Sequence, residues 1–269
     1  MDSRIRYLAI VTEKPQELAR FYTDFFAMRE LGRSDGDIAL TDGFYNLSLV
    51  RPKEGFSEPG FSHFGIEIDS IREIEGRLEE FAPHADIKAE ASGVCQGEYR
   101  VTDPNGLTVS LSEKHFNAPS GPRGLPAIRH VALSVPNNDK VLDFYMNVFG
   151  FREPSTSKNI RAGGTGNPTR FAADGATSLA ILRYPVDADI TEPPEGGWAA
   201  RHFRQGVNHF GFLVTDIDGF LKRLPEGSVT KRPAVRPMTE YRVLDPEANE
   251  IDISQHKGYE IDDGVWEHA

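Results

Sequence analysis

The sequence contains one unit twice, and that duplication constrains the fold more tightly than any other feature. Ile5-Arg6-Tyr7-Leu8-Ala9-Ile10-Val11 lines up with Ile128-Arg129-His130-Val131-Ala132-Leu133-Ser134, and each run leads into a helical pattern with a Phe-Tyr pair, Phe21-Tyr22 and Phe144-Tyr145. Asp42-Gly43 ahead of Asn46-Leu47-Ser48-Leu49 answers Asp174-Gly175 ahead of Ser178-Leu179-Ala180-Ile181. His63-Phe64-Gly65 recurs as His209-Phe210-Gly211, and Glu98-Tyr99-Arg100-Val101-Thr102-Asp103-Pro104 as Glu240-Tyr241-Arg242-Val243-Leu244-Asp245-Pro246. Anchors repeated in one order define two equivalent halves. Between them, Asn117 to Pro126 holds three prolines and two glycines without apolar periodicity. The expected division is therefore a first domain over 1–118, a linker over 119–127 and a second domain over 128–269.

Within each half the pattern reads strand, helix, three strands, and then the same again. In the second half the expected elements are strand 129–135, helix 138–149, strands near 151–156, 169–173 and 178–183, strand 208–214, helix 216–224, and strands near 229–234, 239–244 and 250–254. Val141, Phe144, Tyr145, Val148 and Phe149 recur at three- and four-residue steps and form one apolar stripe, as do Leu18, Phe21, Tyr22, Phe25 and Phe26. Gly150 supplies the stop, because glycine enters the left-handed region cheaply. Each half is thus a pair of βαβββ modules.

Side chains alternate faces along a strand, so each face can be read separately. Val131, Leu133 and Val135 share one face of their strand, which leaves His130 on the other. Phe210, Phe212 and Val214 set the apolar face of the next, opposite His209 and Gly211, and Ile251 and Ile253 leave Asp252 opposite. A single strand histidine carries little weight alone. Three strands at matched places, each aiming one potential ligand at the polar side, carry more. Two imidazoles and a carboxylate suit an open six-coordinate iron(II) centre, which keeps positions for substrate oxygens and dioxygen, and they also serve manganese or zinc. The first half is an internal control: its equivalent positions are Tyr7, His63 and Ser110, so the metal is expected in the second half alone.

The paired βαβββ modules, the strand-opening His130, Gly-x-x-His-Phe-Gly at 206–211 and Asp-Pro-x-x-Asn-x-Ile-Asp at 245–252 resemble the vicinal oxygen chelate superfamily. It includes glyoxalase I, bleomycin and fosfomycin resistance proteins, methylmalonyl-CoA epimerase and type I extradiol dioxygenases. The resemblance implies an α+β chain of four βαβββ modules paired into two similar glyoxalase/dioxygenase-like domains. A metal-free first half before a His, His, carboxylate site is similar to the extradiol enzymes, although their third ligand is usually Glu where this chain has Asp252, and their Asp-Pro-x-Gly-Asn turn has Ala248 here. That likeness implies Fe(II)-dependent cleavage of a catechol-like diol with dioxygen. The alternatives within the superfamily are a glyoxalase- or epimerase-like lyase or isomerase, and a resistance-type protein that only binds its small molecule.

Ring opening needs a group to take a substrate proton and one to steady the oxygen intermediate. Tyr241, on the strand feeding the Asp252 hairpin, and His202, in a stretch absent from the first half, are the candidates; packing and a plain loop histidine are the ordinary alternatives. Glu240 and Arg242 recur as Glu98 and Arg100 and read as a hairpin feature. His256 is a further histidine near the cavity mouth, outside the ligand set. His130 to His209 spans 79 positions where Tyr7 to His63 spans 56, and the extra length at 157–170 and 184–206 is expected to form lids. With 41 acidic and 30 basic residues the net charge is −11, which argues against nucleic acid as a partner. One cysteine, Cys95, no charged-then-apolar leader and no apolar run long enough to cross a bilayer point to a cytoplasmic protein without a membrane anchor. The superfamily's habit of edge-to-edge association implies a homo-oligomer.

Overall fold

The computed structural model describes residues 3–53, 58–90, 97–117, 124–154, 169–183, 205–231 and 240–255. The first half runs β1 (Arg4–Val11), α1 (Pro15–Phe26), β2 (Arg29–Ser34), β3 (Asp37–Thr41), β4 (Asn46–Val50), β5 (Gly60–Glu67), α2 (Ile71–Phe81), β6 (Lys88–Ala89), β7 (Tyr99–Thr102) and β8 (Thr108–Ser112), closing with a 3₁₀ turn, His115–Asn117. The second runs β9 (Ala127–Val135), α3 (Asn138–Phe149), β10 (Arg170–Ala173), β11 (Ser178–Arg183), β12 (Gly206–Val214), α4 (Ile217–Leu221), β13 (Val229–Lys231), β14 (Tyr241–Leu244) and β15 (Glu250–Gln255). The sheets have the orders β2-β3-β4-β1-β5-β8-β7-β6 and β10-β11-β9-β12-β15-β14-β13. In each, two modules meet through their first strands, antiparallel, and each first strand pairs in parallel with the last strand of its own module. The chain is α+β with two domains, as the repeat predicts. Of the strand expected near 151–156, the described residues 151–154 make one bridge, Arg152 to Ala173, and residues 155–156 lie outside the described residues; the helix expected over 216–224 is the shorter α4.

Local chemistry sets the helix ends. The Asn137 side chain caps α3 by accepting from the Lys140 N–H, and Gly150, at φ 75°, closes it: its N–H donates to the Met146 carbonyl and the following Phe151 N–H to the Tyr145 carbonyl. The apolar stripes then pack on the sheets. Val131, Leu133, Phe210, Phe212, Ile251 and Ile253 join α1 and α3 residues in one core that runs through both halves. Phe26 of α1 lies 4.5 Å from Phe212 across the junction, and Tyr145 of α3 lies 5.9 Å from Phe64.

The repeated motifs fasten that junction reciprocally. Tyr22 donates its hydroxyl hydrogen to Asp245 Oδ2 at 2.9 Å, and Tyr145 donates to Asp103 Oδ2 at 3.2 Å. Asp42 Oδ2 accepts the Ile128 N–H at 2.8 Å, while Asp174 Oδ2 accepts the Ile5 N–H at 2.7 Å. The Phe-Tyr pair, the Asp-Gly turn and the Asp-Pro turn are therefore shared because each half binds the other with them. Among the described residues no helix is long and apolar enough to cross a membrane.

Candidate metal centre

The second sheet brings three of the expected site residues together. Strands β9, β12 and β15 are neighbours, and Gly211 of β12 is in register with His130 on one side and Asp252 on the other. Residues in register share a face, so His130 and Asp252 flank a position that has no side chain. His209, two residues earlier on the same face, closes the third side. The three are at most 5% exposed, and one ligand atom from each lies within 4.8 Å of the others.

The first half shows what happens to this space without ligands. There Gly65 is in register with Tyr7 and Ser110, and the Phe116 ring sits over it: a Cβ at position 65 would meet Phe116 Cζ at 2.5 Å. Phe116 stacks on Tyr7 at 5.1 Å, so apolar rings fill the volume that His130, His209 and Asp252 line in the second half.

Hydrogen bonds orient the donors. His209 Nδ1 lies 2.7 Å from Asn208 Oδ1, which can only accept, so this pairing puts the proton on Nδ1 and leaves the Nε2 lone pair for the site. Nε2 is 3.1 Å from Asp252 Oδ2. Two donors each about 2.1 Å from an ion and at right angles lie about 3 Å apart, so the pair already has the spacing of adjacent positions on a metal. Asp252 Oδ1 is occupied by Arg242 Nε at 2.7 Å, and Arg242 Nη1 donates to Glu250 Oε2. The carboxylate thus offers one oxygen, Oδ2, to the site.

Electrostatics put the donors in the protonation states a metal needs. Burial, helped by the neighbouring His209, lowers the His130 imidazole to about 3, and burial likewise lowers His209. Burial alone would raise the Asp252 carboxyl, but contact with His209 and Arg242 outweighs it and holds the group well below its usual range. With the histidines neutral, the permanent guanidinium charge of Arg242 carries this effect.

Other sequence expectations fare differently. Tyr241 is in register with Ile253, so it lies on the apolar face and packs against the core, opposite Asp252. The strand's alternation turns Arg242 toward the site instead. His202, His256 and most of both expected lids lie outside the described residues. Sequence reasoning missed Arg242, Glu250 and Asn208. Arg242 was within reach: it and Asp252 stand at equal distances from the centre of the 245–249 turn, which pairs them across the hairpin.

The chain is thus an α+β protein of two paired βαβββ domains, with a buried His-His-carboxylate cluster in the second and a ring-filled counterpart in the first. Residues 127–253 match the family model described as the Glyoxalase/Bleomycin resistance protein/Dioxygenase superfamily, and the first half repeats the sheet topology of the matched residues. Comparison with curated proteins gives no match. Among solved structures, the 2,3-dioxygenase LapB from Pseudomonas sp. KL28 is similar at 17% identity and a TM-score of 0.64, with 94% of this chain and 92% of that one covered. The Mn(II)-bound glyoxalase from Novosphingobium aromaticivorans is similar at 15% identity and 0.65, covering 94% and 83%. Homoprotocatechuate 2,3-dioxygenase from Arthrobacter globiformis is similar at 15% and 0.63, covering 94% and 79%. At these identities the likeness concerns the fold.

Proposed function

We propose that this chain is a metal-dependent enzyme in which His130, His209 and Asp252 hold a divalent ion that takes two adjacent oxygens of a small molecule. The observation that carries the reading is the contrast between the halves: the same strand positions converge as three ligands in one domain and are packed with Tyr7 and Phe116 in the other. Bound there, the ion would supply Lewis acidity to paired substrate oxygens, and iron(II) would add the redox chemistry that dioxygen requires. Asn208 sets the His209 tautomer, Arg242 reserves Asp252 Oδ2 for the site, and burial keeps water from competing.

The leading reaction is extradiol cleavage of a catechol-like ring with Fe(II), supported by a site confined to the second of two domains and by a fold shared with two 2,3-dioxygenases over most of the chain. The second reading is a proton-transfer lyase or isomerase that uses no dioxygen. It is favoured by Tyr241, which faces the core, and by the Mn(II)-bound glyoxalase among similar structures. An oxygen electrode separates them. Protein purified anaerobically and loaded with Fe(II) consumes one dioxygen per ring opened from a panel of catechols if the first holds; metal uptake without oxygen consumption by any catechol rejects it and leaves the second.

A further inference from the structure

The chamber of the first domain is filled from within, by the 3₁₀ turn His115–Asn117. All three residues of this strap lie in the left-handed region, at φ 56°, 52° and 54°, and none is glycine. L residues give up stability there and stay only where their surroundings impose it. Side chains impose it here. Asn46 Nδ2 donates to the Phe116 carbonyl at 2.7 Å, the Phe116 N–H donates to Ser112 Oγ at 3.1 Å, and His115 Nδ1 lies 2.8 Å from Glu67 Oε1.

The Phe116 ring is fully buried yet stands apart from the main core. It forms a separate cluster with Tyr7, Ala9 and Val50, so the packing of the helices on the sheet does not depend on it. It also matches its chamber incompletely. Asn46 and Ser48 are in register with Tyr7 and Ala9 and share their face, and both are at most 2% exposed. Neither Asn46 Oδ1 nor Ser48 Oγ has a hydrogen-bond partner among the described residues. Buried polar atoms of this kind are uncommon, and an apolar ring cannot satisfy them. A ring that carried a hydroxyl would.

We propose that the first domain holds a second small-molecule site, kept shut by its own Phe116, and that an uncharged phenol-like aromatic opens it by displacing the strap. The ligand's ring takes the place of Phe116 against Tyr7, where two rings already stack at 5.1 Å and 9°. The room left by one phenylalanine ring suits a single six-membered ring. The ligand's hydroxyl meets Asn46 Oδ1 and Ser48 Oγ, which lie two residues apart on one strand face. Tyr7, Ala9, Asn46, Ser48 and Val50 carry no charge, so an ionised ligand would lose its hydration there without a counter-charge. The site needs no metal and lies in the other domain from the candidate metal centre.

The test is fluorine NMR titration of the full chain, treated with chelator, with 4-fluorophenol and its methyl isostere 4-fluorotoluene, beside hydrogen exchange at the strap. Wild type is expected to bind 4-fluorophenol saturably and about tenfold more tightly than 4-fluorotoluene, the scale of one buried hydrogen bond. Binding should speed exchange of the Phe116 and Asn117 N–H groups, which donate to Ser112 Oγ and the Lys114 carbonyl while the strap is seated. Phe116→Ala should bind 4-fluorophenol at least about tenfold, and Phe116→Leu at least about threefold, more tightly than wild type, because less has to be displaced. Phe116→Leu keeps an apolar side chain on the cluster and decides the matter if Phe116→Ala does not fold. No saturable binding by wild type, equal affinity in wild type and Phe116→Leu, unchanged exchange at the strap on binding, or tighter binding of 4-fluorotoluene would each overturn the proposal.

Discussion

Replacing Tyr22 or Tyr145 with phenylalanine removes one hydroxyl and no ring volume from the junction between the domains, so the stability change isolates a hydrogen bond. Each hydroxyl donates to a buried aspartate of the opposite half, Asp245 or Asp103. A hydrogen bond to a charged acceptor contributes about 1.5–3 kcal/mol. The two sites differ in what remains. Asp245 Oδ2 keeps the Asn249 amide at 2.8 Å, whereas the counterpart of Asn249 in the first half is Leu107, which has no side-chain donor. Tyr145→Phe should therefore cost about 3 kcal/mol and Tyr22→Phe about 1.5, even though the Tyr145 bond is the longer. The pair share no partner, so the double variant should lose roughly the sum. Urea unfolding followed by circular dichroism reads these differences at constant slope, and the melting temperature should fall by about 3–12 °C. Losses under about 0.5 kcal/mol for both variants would refute the reciprocal fastening, and a larger loss for Tyr22→Phe would refute the ranking.

Phe116→Ala should destabilise the chain by about 3–5 kcal/mol, measured by the same unfolding, because it empties the volume over Gly65. Stability should also fall with acid: His63 titrates at about 4 and His130 at about 3 because burial penalises their charged forms. Both bind protons more weakly folded than unfolded, so their stabilisation is complete above about pH 6.5 and is lost as the pH drops toward those folded values. His63→Gln should flatten the slope between about pH 6 and 4.5 by about one proton, or 1.4 kcal/mol per pH unit. Asn208→Ala should weaken Mn(II) binding by about 10–100-fold in equilibrium dialysis while the fold is retained, because the His209 ring loses the partner that fixes its tautomer.

Period and parity made much of this molecule legible. The 3.6-residue stripe placed α3 at its observed bounds, and the period of two put His130, His209 and Asp252 on one face, because burial of one strand face leaves a single choice for the other. The same rule, applied to β14, would have turned Tyr241 inward with Val243 and brought Arg242 to Asp252. Pairing across sheets was less accessible. Nothing local in Asp-Pro or Phe-Tyr says that Tyr22 and Asp245 meet across 223 positions; the contact exists because the two halves pack reciprocally. Nor does the sequence alone show that Phe116, beyond the last strand, folds back over Gly65, since its place depends on a close approach of backbone and ring.

Metal content per chain tests the central claim most directly, measured by elemental analysis after anaerobic loading with Fe(II) or Mn(II) and gel filtration. Wild type should retain one ion, His209→Ala and Asp252→Ala none, and His63→Ala, altered at the equivalent position of the first half, should retain it in full. An ion kept by His209→Ala or lost by His63→Ala would contradict a centre built from His130, His209 and Asp252.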